Sequence, residues 1–177
     1  MTEGQDIESV RQTLQGNQRA FEAIVDRYQK PIYNVAYRIV SSIDEAEDIT
    51  QTVFIKAYEN LQSYNNKYKF FSWLYRIAIN ESLNHKQSHK RIESLKEHVN
   101  SNDPAPDELL YEKQSSQALH EALNKLKSDY KLVIILKHLQ GLSYSEISEV
   151  LCIPEKTVKS RLFSARQHLR DKLSQQL

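Results

Sequence analysis

Ser143-Tyr-Ser-Glu-Ile-Ser-Glu-Val-Leu-Cys-Ile-Pro-Glu-Lys-Thr-Val-Lys-Ser-Arg-Leu-Phe-Ser-Ala-Arg-Gln-His-Leu-Arg170 reads as two helices joined by a tight turn. Ser143 followed three residues later by Glu146 is a capping-box pattern that starts a helix. Ile147, Val150 and Leu151 give that helix one apolar face. Cys152-Ile153 interrupts it, and Pro154 is expected at the first position of the next helix, where a missing N–H costs nothing. Val158, Leu162, Ala165 and Leu169 line one side of this second helix. Lys156, Lys159, Ser160, Phe163 and Ser164 lie near the other. A short helix, a turn of about four residues and a longer basic helix form a helix-turn-helix unit, whose second helix suits the DNA major groove.

The 177 residues leave room for one or two domains. Three glycines, four prolines and no useful apolar/polar alternation argue for an all-α class: two helical domains joined by a flexible linker. The net charge is only +1, but it is segregated. Glu155 to Lys172 holds six basic and two acidic residues, whereas Glu93 to Glu112 holds six acidic and one basic. A neutral chain with one basic end implies DNA binding that is weak alone and needs a partner. The single cysteine, Cys152, can form no internal disulfide, which predicts a reducing compartment. The longest aliphatic run, Leu132 to Leu136, is far short of the ~20 residues that span a bilayer. The polar, acidic N-terminus is unlike a signal peptide. A cytoplasmic protein without a membrane segment is expected.

Upstream, Asp6 to Leu14 reads as a short helix ending at Gly16. Phe21, Ile24, Val25 and Tyr28 face the core from the next helix, which Pro31 should break or kink. A third helix starts at Ser42 or Asp44 and runs to about Leu61. Asp44, Glu45, Glu47 and Asp48 crowd its first turns, where the helix dipole favours anions. They read either as that complement or as a docking face for a basic partner. Gln62 to Lys69 is expected as a loop. It leads into an aromatic helix, Phe70 to about Arg91, in which Phe70, Leu74, Ile77 and Ala78 keep core spacing. Tyr64, Tyr68, Phe71, Trp73 and Tyr75 exceed what one buried face needs. Beside Lys67, Lys69 and Arg76 they suit the stacking of single-stranded bases. His85 and His89 stand one turn apart, but without a visible third ligand no metal is expected. Ile92 to Pro106 breaks all periodicity and reads as a linker between residues 1–91 and 107–177. Leu119, Leu123 and Leu126 open the second domain. Ser128 caps the helix that ends before Gly141. No P-loop, nucleophile or acid/base constellation is present, so neither an enzyme nor a cofactor is expected.

Three stretches together resemble bacterial sigma factors of the extracytoplasmic-function (ECF) group. Asp44-Glu-Ala-Glu-Asp-Ile-Thr-Gln-Thr-Val-Phe-Ile-Lys-Ala-Tyr58 is similar to their polymerase-binding region. Phe70 to Asn80, centred on Trp73-Leu-Tyr-Arg-Ile-Ala, is similar to the region that reads and melts the minus-ten promoter element. Leu142-Ser-Tyr-Ser-Glu-Ile with Thr157-Val-Lys-Ser-Arg-Leu resembles the reader of the minus-thirty-five element. The resemblance covers nearly the whole chain. It implies that residues 1–91 are sigma domain 2 and 107–177 sigma domain 4. The implied partners are core RNA polymerase and promoter DNA, duplex upstream and single-stranded downstream. An anti-sigma factor is common in this group.

By matching position, the resemblance assigns Asp44, Glu47, Asp48, Gln51 and Phe54 to the polymerase clamp. It assigns Tyr64, Asn66, Lys67, Tyr68, Lys69, Trp73, Arg76 and Asn80 to the minus-ten strand. An extruded base is expected between the Asn80 amide and Tyr64 or Tyr68. Lys156, Thr157, Lys159, Ser160, Phe163 and Ser164 face the upstream duplex, with Arg161 and Arg166 on the backbone or in structural roles. Asn66 and Tyr68 depart from the small residues usual in the loop. Ser164 departs from a frequent arginine, and Lys127 from a frequent proline. The other reading weighed is a stand-alone dimeric helix-turn-helix regulator, which would bind duplex DNA tightly without polymerase.

Overall fold

In the computed structural model, residues 3–93 and 121–174 are described, with side chains over 3–89 and 121–171. The chain divides into two compact units, Met1–Asn100 and Ser101–Leu177. Most of the linker read at 92–106, the domain start at 107 and Leu119 lie outside the described residues.

The first unit is built from α1 (Glu3–Leu14), α2 (Gln18–Val40), α3 (Ile43–Glu59), a 3-10 turn at Leu61–Ser63, and α4 (Phe70–Glu93). Helix α2 packs against α1, α3 and α4, and α3 packs against α4. The core holds Ile24, Tyr28, Ile32, Val35 and Ala36 of α2, Val53 and Ala57 of α3, and Phe70, Leu74 and Tyr75 of α4. Of the break or kink expected at Pro31, the break does not occur, and α2 runs on through it. Phe21, Ile24 and Tyr28 before it and Ile32, Val35 and Ile39 after it are buried in one core. That packing outweighs the single backbone hydrogen bond a proline removes. The helix ends at Ser41, which takes a left-handed φ of 68° and donates its N–H to the Tyr37 carbonyl.

One polar contact inside this unit was not read from the sequence. Asp6 of α1 is buried, accepts the Tyr28 hydroxyl at 2.6 Å and pairs with Arg27. Burial, then the Asp6 carboxylate, pushes the Tyr28 hydroxyl far above its ordinary pKa, which keeps it a donor. The two partners satisfy a carboxylate that would be costly to bury alone.

The second unit contains α5 (Ser128–Ile134), which runs into a π turn at Ile135–Leu139, then α6 (Tyr144–Leu151) and α7 (Glu155–Ser174). Residues 121–124 are also helical. Lys127, not Ser128, is the N-cap residue of α5 and makes no side-chain cap. Gly141, at φ +69°, supplies the left-handed step that lets the chain leave the π turn. Ala122, Leu123, Leu132, Ile135, Leu136, Ile147, Val158, Leu162 and Ala165 close the core.

Candidate nucleic-acid interface

The turn between α6 and α7 is defined at each joint. Ser143 accepts the Glu146 N–H at 3.2 Å and donates its own N–H to the Glu146 carboxylate at 2.8 Å, a complete capping box. Cys152 ends α6 in the left-handed conformation, φ 53°. The Ser148 hydroxyl donates to the Ile153 carbonyl. The Pro154 carbonyl accepts the N–H groups of Thr157 and Val158. Pro154 therefore caps α7 from one position before its first turn, rather than standing within that turn as expected.

This geometry orients α7. Val158, Leu162 and Ala165 are buried, while Lys156, Lys159, Ser160 and Phe163 are exposed, Phe163 at 66%. The Ser160 hydroxyl donates to the Thr157 carbonyl at 3.0 Å. Thr157 and Ser164 are half-buried at the edge of the exposed strip. The Lys159 ammonium lies 5.8 Å from the ring centre of Tyr144, and Lys137 lies 5.0 Å from the same ring. Tyr144 thus steers both cations, a role that pattern reading missed although Tyr144 opens α6.

The two candidate arginines are held by the fold. Arg161 pairs with Asp129 of α5 at 2.6 Å, and Arg166 donates to His138 Nε2 at 3.3 Å. Partial burial first, then Arg166 and Lys137, lowers the His138 pKa. The neutral ring is the form that can accept from Arg166. Both arginines thus have a partner within the unit, and Arg166 remains exposed.

In the first unit the aromatic cluster divides differently. Phe70 is buried as expected, and Phe71 and Tyr75, two of the five aromatic residues in excess, are core rather than stacking surface. Tyr64 sits edge-on to Phe70 at 5.2 Å and donates its hydroxyl to the Tyr68 carbonyl at 2.7 Å. The Asn65 side chain accepts the Lys67 N–H at 3.0 Å and tightens the loop. Tyr68 stays 56% exposed, Asn66 and Lys67 are exposed, and Trp73 and Lys69 are half-buried. Arg76 is half-buried with its Nε shielded from solvent. Asn80 is exposed, but ten residues beyond Phe70 puts it about 15 Å along the helix from the loop. The Tyr64 ring, 5.7 Å from that of Trp73, lies between these two ends of the surface.

On α3, Asp44, Glu47, Asp48 and Gln51 are all exposed, whereas Phe54 is 8% exposed and belongs mainly to the core. Ile55, 58% exposed, and Tyr58 join Phe21 and Phe54 in a shallow apolar groove next to that acidic face. Pattern reading passed over Ile55 because it breaks the core periodicity. Glu45, in the same first turn, points elsewhere: its carboxylate faces His85 and His89 of α4. The histidine pair therefore has the third neighbour that the sequence did not reveal.

Residues 24–92 match the Sigma-70 region 2 family, and residues 116–169 match the Sigma-70 region 4 family. The chain is 35% identical to the ECF RNA polymerase sigma factor SigW of Bacillus subtilis, over 93% of this chain and 94% of that one. It is 32% identical to the RNA polymerase sigma-H factor of Pseudomonas aeruginosa, over 100% and 97%. It is 34% identical to the ECF sigma-E factor of Escherichia coli K12, over 93% and 92%. Among solved structures it resembles the sigma factor RpoE of Bartonella quintana in complex with the anti-sigma factor NepR. That match has a TM-score of 0.75 and 26% identity, over 87% of this chain and 96% of that one. CnrH, solved with the cytosolic domain of CnrY, shares the fold at a TM-score of 0.74 and 24% identity, over 96% and 97%.

Proposed function

The chain belongs to the extracytoplasmic-function group of RNA polymerase sigma factors, and on that premise we propose how its surfaces divide the work. It is a promoter-specificity subunit, not an enzyme: it binds core RNA polymerase and directs initiation at one class of promoter. Residues 1–91 act as the polymerase-docking and minus-ten unit, residues 107–177 as the minus-thirty-five unit, and 92–106 as the connection.

The observation that carries this division is the exposed strip of α7, Lys156, Lys159, Ser160 and Phe163, set opposite the buried Val158, Leu162 and Ala165. A helix held by its apolar side can enter the major groove with donors outward. Lys159 and Ser160 read base edges, Lys156 contacts phosphate, and Arg161 and Arg166 hold the reading helix in place. On the first unit, Tyr68 and Trp73 stack on unpaired bases at the loop, and Asn80 bonds a separate base further along α4. Asp44, Glu47, Asp48 and Gln51 meet a basic surface of polymerase, beside the groove at Ile55 and Tyr58. The net charge of +1 keeps the free subunit weak on DNA until polymerase adds its own contacts.

The bacterial cytoplasm, where polymerase works, is the compartment that follows. Among the described residues no helix is long and apolar enough to cross a membrane. The complex of the Bartonella relative with NepR supports a protein inhibitor as a further partner of this chain. Copurification with core polymerase, followed by transcription from a promoter library, tests the division. Asp48→Lys should weaken copurification several-fold with an unchanged melting curve, since Asp48 is exposed. Normal polymerase binding by that variant would remove α3's acidic face from the docking surface.

A further inference from the structure

Glu45, His85 and His89 form a compact group between the first turn of α3 and the part of α4 about one to two turns before its end. Each offers one ligand atom, and the three atoms lie within 4.8 Å of one another. His85 Nδ1 is 3.5 Å from Glu45 Oε2, and His89 Nδ1 is 3.5 Å from Glu45 Oε1. The two imidazoles are one helical turn apart, stacked at 4.6 Å with 24° between their planes, so both present Nδ1 to the same carboxylate.

These separations are long for N–H···O hydrogen bonds, which favour about 2.7–3.2 Å. Each is close to the edge of a tetrahedral coordination shell, and because the two run to different oxygens of Glu45, a small side-chain shift would bring one oxygen onto both nitrogens. Zinc–nitrogen and zinc–oxygen bonds of about 2.0–2.2 Å set neighbouring ligand atoms about 3.4 Å apart. His85 Nδ1 is also shielded from solvent and has no hydrogen-bond partner among the described residues. A buried imidazole nitrogen in that state calls for a partner, and a cation between the three groups supplies one.

We propose that Glu45, His85 and His89 bind a divalent transition-metal ion of the zinc, cobalt or nickel class, with water completing the shell on the exposed His89 side. Two imidazoles and a carboxylate, with an open position, suit zinc chemistry. The paired histidines four residues apart on one helix supply two ligands from a rigid element, and Glu45 reaches across from the neighbouring helix. A bound ion would tie the start of α3 to α4 and stabilise the first unit. The site catalyses nothing in this reading.

The test uses the full chain, stripped with chelator and then dialysed against zinc, with metal measured per chain. Cobalt provides a second probe through its visible absorption in a tetrahedral site. One equivalent of zinc should remain, and the melting temperature should rise with zinc. Glu45→Gln and His89→Ala should each weaken uptake at least about 10-fold. His89 is exposed, so His89→Ala keeps the fold while His85→Ala could disturb it. Retention of a full equivalent by both Glu45→Gln and His89→Ala would overturn the assignment. So would a wild-type chain that takes up no zinc or cobalt, which would leave an ion pair between Glu45 and the two histidines.

Discussion

Helix α4 buries Phe70, Phe71, Leu74 and Tyr75, leaves Trp73 and Arg76 half-buried and exposes Asn80 along its side. Helix α7 buries Val158, Leu162 and Ala165 and leaves Lys156, Lys159, Ser160 and Phe163 outside. Under the proposed division of work, the contrast follows from the targets. A duplex groove is met by the whole side of a helix, so α7 keeps its core contact narrow and its outer strip polar. An unpaired strand can be met base by base, so α4 can spend most of its perimeter on the core of a four-helix unit. Richness in aromatic residues therefore marks packing in α4, whereas the one exposed phenylalanine of α7 marks a surface.

The sharpest way to break this comparison is to remove core from each unit in turn. Phe54→Ala should destabilise the first unit by about 3–5 kcal/mol, because Phe54 is almost fully buried. Leu162→Ala should destabilise the second unit by about 2–5 kcal/mol for the same reason. Trp73 is the chain's single tryptophan and lies in the first unit. Its fluorescence should follow Phe54→Ala but stay unmoved by Leu162→Ala, while far-UV circular dichroism responds to both. A shift of the Trp73 transition in Leu162→Ala would mean that the two units unfold as one. Loss of polymerase binding in Phe54→Ala would then report a lost fold rather than a lost contact.

Less drastic is the removal of one exposed cation from α7. Lys159→Ala should lower use of the upstream element by about 1–3 kcal/mol if the ammonium makes a paired base contact. The loss should fall mainly on promoters carrying the preferred base. An equal loss on every upstream sequence would instead make Lys159 a phosphate contact. The Tyr144 ring beneath the lysine makes this a positioned charge, so Tyr144→Ala should repeat part of the effect without removing any cation.

The parts legible in the sequence are those whose causes lie within one turn of helix. Ser143 with Glu146, the interruption at Cys152 and the stripe Val158, Leu162, Ala165 are local, and each was read where it stands. The continuity of α2 through Pro31 was not readable, since it depends on packing against α3 and α4. Nor was the burial of Phe71 and Tyr75, because periodicity cannot tell a helix covered on two sides from one with an aromatic surface. The approach of Glu45 to His85 and His89 spans about forty residues and emerges only when α3 packs on α4. The buried Asp6 under Tyr28 is likewise a contact between helices, hidden in a segment that reads as polar.

The smallest expected effect belongs to Asn80. It is exposed on α4, so its replacement by alanine should leave the melting temperature unchanged. Its amide offers two donors and an acceptor, which fits the edge of one unpaired base. A single hydrogen-bonded contact of this kind is worth about 0.5–1.5 kcal/mol, a several-fold change in strand opening. Asn80→Ala holoenzyme should still assemble and still bind the upstream duplex through α7. Permanganate reactivity of unpaired thymines should fall, and a premelted bubble should restore initiation only in part. The rise of about 15 Å along α4 from Phe70 to Asn80 adds a sharper expectation. Asn80→Ala and Tyr68→Ala should alter base preference at different positions of the melted strand. The same position in both variants would place Asn80 and Tyr68 on one base and refute their separation along α4. Wild-type opening and wild-type preference in Asn80→Ala would return Asn80 to an ordinary polar surface and leave the strand to the loop alone.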